Sequence, residues 1–202
     1  PDSPMGRMEH RGINENLARE CLELHTLGVH GGYTQADVTA FASILTGRTV
    51  NFDENNPGFV FKAEAHEPGP QHFMGHEFPP GFAGSEAVLD FIAAHPATHR
   101  HLATQLVQHF ISDIPPPACV DRVATVLGNT DGDLKQAVLA IVDMPEAWQP
   151  LTKFRAPAEY VVAVLRAIDL PPEPGDGIFR STADLGQPFM SPLLPNGWPD
   201  TA

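Results

Sequence analysis

The sequence predicts a mainly α protein, an irregular helical bundle with a small β-hairpin and an extended, proline-rich C-terminal tail. Apolar residues recur at three- and four-residue spacing in about six segments, which is typical of amphipathic helices. The 21 prolines and 17 glycines separate these segments with turns. A length of 202 residues fits one domain over residues 1–202.

The first two predicted helices have clear starts and stops. Asn14 is a plausible N-cap of the first helix and Gly28 a plausible stop after it. Its inward positions recur at helical spacing and are Leu17, Ala18, Cys21, Leu24 and His25. Thr34 with Asp37 predicts a capping box for the second helix, and Gly47 ends it. Its buried stripe is predicted to be Val38, Phe41, Ala42 and Leu45.

Residues 48–82 lack the helical spacing of apolar residues, and their sequence predicts a hairpin followed by a loop. Strands are predicted at Asn51-Phe52 and at Phe59–Phe61, and His66–Phe82 is predicted to be a structured loop rich in proline and glycine. Residues 1–13 are predicted to be irregular and residues 171–202 to form the extended tail. The remaining helices are predicted at Ser85–Ala94, Pro96–Ile111, Ala118–Leu127, Leu134–Asp143 and Pro157–Ile168.

The formal net charge of −13 argues against two classes of binding partner and does not identify another. Nucleic acids and anionic membranes are bound by clustered Lys and Arg, so we expect neither. No run of about 18 apolar residues occurs, and we expect no membrane span. Cys21 and Cys119 leave a disulfide open, although a buried thiol is the simpler interpretation of Cys21.

The first helix also carries the candidate catalytic residues. Glu20, Glu23 and His25 bring two carboxylates and an imidazole into one short stretch. Carboxylates one turn apart share a proton or bind a divalent metal, because like charges raise one pKa. The alternative is a surface helix in which Arg19 neutralises Glu23 and Glu15.

Histidines supply the candidate metal ligands. His66 opens a loop that also contains His72 and His76-Glu77, and imidazole and carboxylate suit zinc, although the spacing matches no standard zinc signature. His95 precedes the helix that starts at Pro96. The alternative for that segment is a capping His95 beside a solvent-exposed His99. A divalent metal is therefore an open cofactor prediction.

Several stretches taken together resemble the bacterial family called domain of unknown function 1800. They span nearly the whole chain in order and are NENLARECLELHTLGVHGGYTQAD, LTGRT, HEPGPQHFMG, HPATHRHLATQLVQHF, Ser112–Pro117 leading to DGDL at Asp131–Leu134, and LGQPFMSPLLPNGWPD. The chain departs from the family pattern at Glu67, at Gln71 and Gln105 where lysines are expected, and at His99 where alanine is expected. Family members are usually more than twice as long, so the resemblance implies a C-terminal half whose partner is the missing N-terminal half.

The resemblance implies little about activity. It marks Arg19, Arg100, Asn196 and Trp198 as polar or aromatic candidates, and we expect them to bind substrate. Family members are often exported beside sulfatase-like proteins, which implies a periplasmic or extracellular setting. We therefore expect a hydrolase acting on a polymer or glycan. The alternative is a non-catalytic scaffold or binding module that works with a secreted partner enzyme.

Overall fold

The computed structural model of the chain describes residues 2–10, 12–53, 55, 57–150, 153–170, 176–192 and 197–198. Its α-helices are α1 (Pro4–Glu9), α2 (Asn16–Glu20), α3 (Gln35–Leu45), α4 (Phe82–Ala93), α5 (Pro96–Phe110), α6 (Pro117–Asn129), α7 (Leu134–Val142), α8 (Pro157–Ala167) and α9 (Asp176–Asp184). Its strands are β1 (Arg48–Asn51), β2 (Gly58–Phe61), β3 (Gln71–Phe73) and β4 (His76–Phe78). The mainly α prediction is confirmed.

The chain divides into two compact units. Unit 1 contains residues 1–102 and 127–133, and unit 2 contains residues 103–126 and 134–202. The division falls inside α5 and inside α6. The single-domain interpretation of the sequence stays a prediction.

The core of unit 1 is built on the predicted face of α3. Thr34 and Asp37 form the predicted capping box, with the Asp37 carboxylate accepting the Thr34 N–H and the Thr34 hydroxyl accepting the Asp37 N–H. Of the predicted stripe, Val38, Phe41 and Ala42 are buried. The core cluster is Ala18, Leu22, Leu27, Val38, Phe41, Ala42, Ile44, Phe73, Phe78, Val88 and Ile92.

Two hairpins, rather than one, lie between α3 and α4. β1 pairs with β2 in antiparallel register, which confirms the predicted hairpin, although β1 lies before Phe52 and shares only Asn51 with the predicted strand. β3 pairs with β4 where the sequence predicts a loop, and their turn contains Met74 (φ 47°) and Gly75 (φ 78°). The Met74 N–H donates to Asp37 Oδ1 at 2.7 Å, which joins this turn to the start of α3. Three-residue strands give too few alternations for the sequence pattern to reveal them.

Unit 2 buries a separate apolar set: Ala103, Val107, Ile111, Cys119, Val120, Val123, Ala137, Ile141, Met144 and Val161. The Asp113 carboxylate accepts from Lys153 Nζ at 2.8 Å and from the Phe154 N–H at 3.1 Å. These hydrogen bonds hold the pKa of Asp113 below its ordinary value, and the bond from the Lys153 side chain has the largest effect. Within the tail predicted to be extended, residues 176–184 form α9, which contacts α8.

Two further details bear on the sequence predictions, and only the first differs from them. The segment predicted to be irregular contains α1, whose N-cap Ser3 accepts the Gly6 N–H through its hydroxyl. Cys21 and Cys119 are both free thiols, and burial raises the pKa of each. A helix as short as α1 has too few turns to show an apolar period, so the sequence alone could not reveal it.

Candidate functional site

The helix that carries the predicted catalytic residues is not α-helical throughout. After α2, residues Cys21–His25 form a π-helical turn. The Gly28 N–H closes this segment on the Leu22 carbonyl at 2.9 Å, and Gly28 has the left-handed φ of 77° that was predicted for a stop. A π turn adds one residue to each hydrogen-bonded loop. The position of a side chain around the helix, when counted from Glu20 at α-helical spacing, is therefore wrong by the end of this segment.

Arg19 is the centre of a polar network between α2 and α3. Its guanidinium donates to Glu23 at 3.3 Å, to Glu15 at 3.4 Å and to Gln35 Oε1 at 2.8 Å. The Glu15 carboxylate also accepts from the Thr39 hydroxyl at 2.6 Å and from Gln35 Nε2 at 2.8 Å. The Thr39 hydroxyl, then Gln35, hold the pKa of Glu15 below its ordinary value. The network joins two helices and keeps Glu15 ionised.

No hydrogen bond or ion pair described in the structure joins the three predicted catalytic residues, Glu20, Glu23 and His25, to one another. Glu23 is half-buried and paired with Arg19, whereas Glu20 and His25 are exposed. The pairing of Arg19 with both Glu15 and Glu23 is the arrangement of the ion-paired alternative. The assignment of acid–base chemistry to this trio stays a prediction.

His66 is a buried cross-link between segments that are far apart in the sequence. Its Nδ1 lies 2.8 Å from the Thr46 carbonyl oxygen, and its Nε2 accepts the Gly81 N–H at 2.7 Å. Because the carbonyl can only accept and the amide can only donate, the ring is neutral with its proton on Nδ1. In this state neither ring nitrogen has a lone pair left for a metal.

His95 caps the start of α5. Its Nδ1 accepts the Ala97 N–H at 3.1 Å, so the proton of the neutral ring lies on Nε2. Burial, and then the nearby His99, lower the pKa of His95. His99 is buried rather than solvent-exposed as expected, and its Nε2 has no hydrogen-bond partner among the described residues. His95 thus has the capping role of the alternative interpretation.

Glu67 is a functional candidate that sequence reasoning did not select. Its carboxylate accepts the main-chain N–H of Asp2 at 2.6 Å and of Ser3 at 3.0 Å. Burial raises the pKa of the Glu67 carboxyl, but these N–H groups, together with the Ser3 hydroxyl and the positive charge of the N-terminus, outweigh burial and the net pKa is lowered. The Glu67 N–H in turn donates to the Thr46 hydroxyl at 2.8 Å. The available signal was its position in the family-like loop that His66 opens.

A recess of about 180 Å³, lined by both polar and apolar residues, lies beside Glu67 in unit 1. It is lined by Ser3, Met5, Gly6, Glu9, Gly12, Ile13, Asn14, Thr46, Ala65 and Glu67. Three of the stretches that carry the family resemblance contribute Asn14, Thr46 and Glu67. The carboxylate, amide and hydroxyl oxygens could accept hydrogen bonds from a small polar group.

The remaining predicted binding residues are distributed over both units. Arg100 is exposed and belongs to unit 1. Trp198 belongs to unit 2 and lines an apolar recess of about 340 Å³ with Ala158, Thr182, Gln187, Phe189, Met190 and Pro192. Asn196 lies outside the described residues. Their role in binding substrate stays a prediction.

The part of the chain that the structure describes contains no group of three or more His, Cys, Asp or Glu placed to hold a metal ion. His72 and Glu77 do face each other across β3 and β4, with Nε2 and Oε2 3.5 Å apart, but both are exposed. The described residues therefore give the divalent-metal prediction no support.

The fold and the site define a mainly helical protein whose buried polar side chains join separate segments. The chain belongs to the family described as Protein of unknown function (DUF1800), which matches residues 2–202. Comparison with curated proteins and comparison with solved structures each found no match. Among the described residues, no helix is both long and apolar enough to cross a membrane.

Proposed function

We propose that this chain is a non-catalytic scaffold or binding module. The observation that supports this most directly is His66, whose two ring nitrogens are both bonded to the main chain. A histidine in that state positions the chain segments around it. It neither accepts a proton nor binds a metal without first breaking one of these bonds.

The carboxylates support the same conclusion. A general acid or base works best with a pKa near the working pH and with an oxygen free to exchange its proton. Glu15 and Glu67 have lowered pKa values, so both are ionised at neutral pH. Both oxygens of Glu67 accept main-chain N–H groups, and Glu23 pairs with Arg19. These acids stabilise contacts between segments and are poorly suited to proton transfer.

The hydrolase hypothesis stays a prediction that can be tested beside this proposal. It depends mainly on Glu20 and His25, which are exposed. Water around an exposed group weakens the electrostatic interactions that tune a catalytic pKa. An active site at these residues would therefore need a cover that excludes water.

The test combines turnover with stability. Wild type, Glu20→Gln and Glu23→Gln are assayed on chromogenic esters, phosphate and sulfate monoesters and glycosides, with and without added Zn²⁺. We expect no turnover above the buffer rate. We expect the free energy of unfolding to be unchanged in Glu20→Gln and lower by about a few tenths of a kcal/mol in Glu23→Gln, since a partly exposed ion pair at i,i+4 contributes that little.

Glu64→Gln is the matched control, because Glu64 is also an exposed glutamate of unit 1. Turnover that Glu20→Gln abolishes and Glu64→Gln preserves, with both variants folded, would establish an enzyme and refute the scaffold function. Stoichiometric metal in protein purified without added metal would count against it too.

A further inference from the structure

We propose that the apolar recess beside Trp198 in unit 2 binds a neutral aromatic molecule that carries a hydrogen-bond acceptor. The recess has a volume of about 340 Å³, and its wall combines the start of α8, the last turn of α9 and the segment that follows α9. This inference rests on the proposed binding-module function, because it names the class of ligand that such a module would take.

The ends of two helices fix one wall of the recess. Gly186 has a left-handed φ of 86°, and its N–H donates to the Ala183 carbonyl at 2.9 Å. The Gln187 N–H donates to the Thr182 carbonyl at 2.8 Å, which completes a Schellman motif at the end of α9. The Gln187 side chain then reaches the start of α8, where its Oε1 accepts the Ala158 N–H at 3.0 Å. This wall is therefore formed before any ligand binds.

Gln187 gives the recess a hydrogen-bond donor with a fixed orientation. Because the Ala158 N–H can only donate, it is Oε1 that faces α8, and Nε2 is left with its two N–H groups. No described residue accepts a hydrogen bond from Nε2. The Thr182 hydroxyl, by contrast, already donates to the Phe179 carbonyl at 3.0 Å. A ligand that meets Gln187 Nε2 therefore needs an acceptor, such as a carbonyl oxygen.

Two exposed apolar side chains lie at the rim of the recess. Phe189 and Met190 are 60% and 81% exposed. They lie on a turn in which the Ser191 N–H donates to the Pro188 carbonyl at 3.3 Å. Met190 has a left-handed φ of 56°, which glycine adopts without strain and methionine does not. Backbone strain of this kind is typical of functional sites. The turn holds two large apolar groups in water, where a ligand would bury them.

The lining of the recess favours a neutral aromatic ligand. None of its described residues carries a formal charge, and they are Ala158, Thr182, Gln187, Phe189, Met190, Pro192 and Trp198. An anion would meet no Lys or Arg there and would be repelled by the net charge of −13. A cation would lose hydration without meeting a carboxylate. The indole, the phenyl ring and the thioether of the lining all pack well against aromatic rings.

Size and polarity narrow the ligand class further. Ligand pockets range over about 300–1,000 Å³, so this recess is a small one and suits one or two rings. A sugar ring fits less well, because most of its hydroxyl groups would lose water without gaining a partner on this wall.

The test uses a neutral fluorescent ketone, dimethylaminonaphthalene bearing a propionyl group (Prodan), and two analogues. One analogue has a sulfonate in place of the propionyl group, and the other has hydrogen there. Titration with the wild-type chain gives the Kd of each compound. We expect saturable binding of the ketone, at least about tenfold tighter than that of the sulfonate, since only the ketone is an uncharged acceptor.

Substitutions in unit 2 locate the bound ketone. In Trp148→Phe, Trp198 is the only tryptophan, and the ketone should quench its emission with the same Kd. Ala158→Phe fills the recess and should weaken ketone binding at least about tenfold. Ala167→Phe is the matched control, because Ala167 is an exposed alanine of α8 that does not line the recess. Far-UV circular dichroism checks that each variant is folded.

Gln187→Glu tests the hydrogen bond alone. Its carboxylate still accepts the Ala158 N–H but presents an oxygen where Nε2 donates. The Kd of the ketone should rise at least about tenfold, while that of the analogue with hydrogen stays within about twofold.

Four results would overturn the proposal: a ketone that does not bind or does not quench Trp198, a sulfonate that binds as tightly, an Ala158→Phe variant that binds like wild type, or a Gln187→Glu variant with an unchanged ketone Kd. The scaffold function fails in a different experiment. Turnover in the substrate panel refutes that function whatever the naphthalenes do, whereas failed ketone binding leaves the chemistry of unit 1 untouched.

Discussion

Replacing His66 by leucine tests whether this buried ring links chain segments or provides a free functional group. In the structure Nδ1 donates to the Thr46 carbonyl at 2.8 Å, and the Gly81 N–H donates to Nε2 at 2.7 Å. Leucine keeps an apolar side chain against Phe61, whose ring centroid lies 5.3 Å from that of His66, but it removes both hydrogen bonds. Two main-chain groups then lose their partner.

The expected loss follows from these two bonds. A hydrogen bond contributes about 0.5–1.5 kcal/mol net, and a buried group left without its partner costs about 1–3 kcal/mol. Because Thr46 and Gly81 are only half-buried, water offsets part of that cost. We therefore expect His66→Leu to lower the free energy of unfolding by about 2–4 kcal/mol.

Two further substitutions separate the bonds. His66→Gln places an amide oxygen where Nε2 accepts, and His66→Asn places an amide nitrogen where Nδ1 donates. Each variant keeps one bond, so each should lose about half as much stability as His66→Leu. The control is His72→Leu, because His72 lies on the exposed side of β3 in the same unit.

Urea unfolding followed by far-UV circular dichroism measures the free energy. Both tryptophans, Trp148 and Trp198, belong to unit 2, so their fluorescence reports separately on that unit. If His66→Leu unfolds within about 0.5 kcal/mol of wild type, the hydrogen-bonded link is not the role of this residue. Zn²⁺ that stabilises wild type but not His66→Leu would identify a ligand instead.

Three other predictions concern packing and charge. Gly84→Ala should lower the free energy of unfolding by more than about 2 kcal/mol, because the added Cβ would overlap the Pro79 carbonyl oxygen. Gly128→Ala is the matched control, since Gly128 is also helical and its Cβ would lie 3.7 Å from His99 Nδ1. It should raise the free energy of unfolding by up to about 1 kcal/mol. The pKa of Glu67 is lower in the folded protein than in the unfolded chain. The ionised carboxylate therefore stabilises the fold above the ordinary carboxyl pKa, and this stabilisation is lost as pH falls through the folded pKa. The melting temperature of Glu67→Gln should therefore change less with acid pH than that of wild type. Arg19→Gln should lower the melting temperature less than His66→Leu, since water reaches the partly exposed ion pairs of Arg19 and weakens them.

A different result would contradict each of these three predictions. A Gly84→Ala variant that melts with wild type would show that the Pro79 carbonyl can move aside. An unchanged acid dependence in Glu67→Gln would mean that other carboxylates account for the acid response of the protein. An Arg19→Gln variant that melts below His66→Leu would make the α2–α3 network the stronger link.

Local patterns predicted much of the fold. The Thr34–Asp37 capping box lies within four residues of the chain, and the buried positions Val38, Phe41 and Ala42 follow one helical period. Short elements were missed for the opposite reason. β3 and β4 have three residues each, and α1 has six, so none repeats long enough to be distinguished from a loop.

The candidate site was less predictable than the fold. The sequence pointed to Glu20, Glu23 and His25 by assuming an α-helix, and the π turn at Cys21–His25 breaks that assumption. It also named His66 as a metal ligand but could not show what the ring contacts. The partner of Nδ1 lies 20 residues away and the partner of Nε2 lies 15 residues away.

The sequence by itself determined the helical class, the capping box of α3 and the membership of a family, because these depend on periodicity and on motifs that neighbouring residues form. Only the tertiary structure decided whether each histidine and carboxylate was free or bonded. A side chain of given chemistry is a ligand, a base or a structural link according to which distant groups meet its polar atoms. For His66 and Glu67 those groups are main-chain amides and a carbonyl from other segments of unit 1.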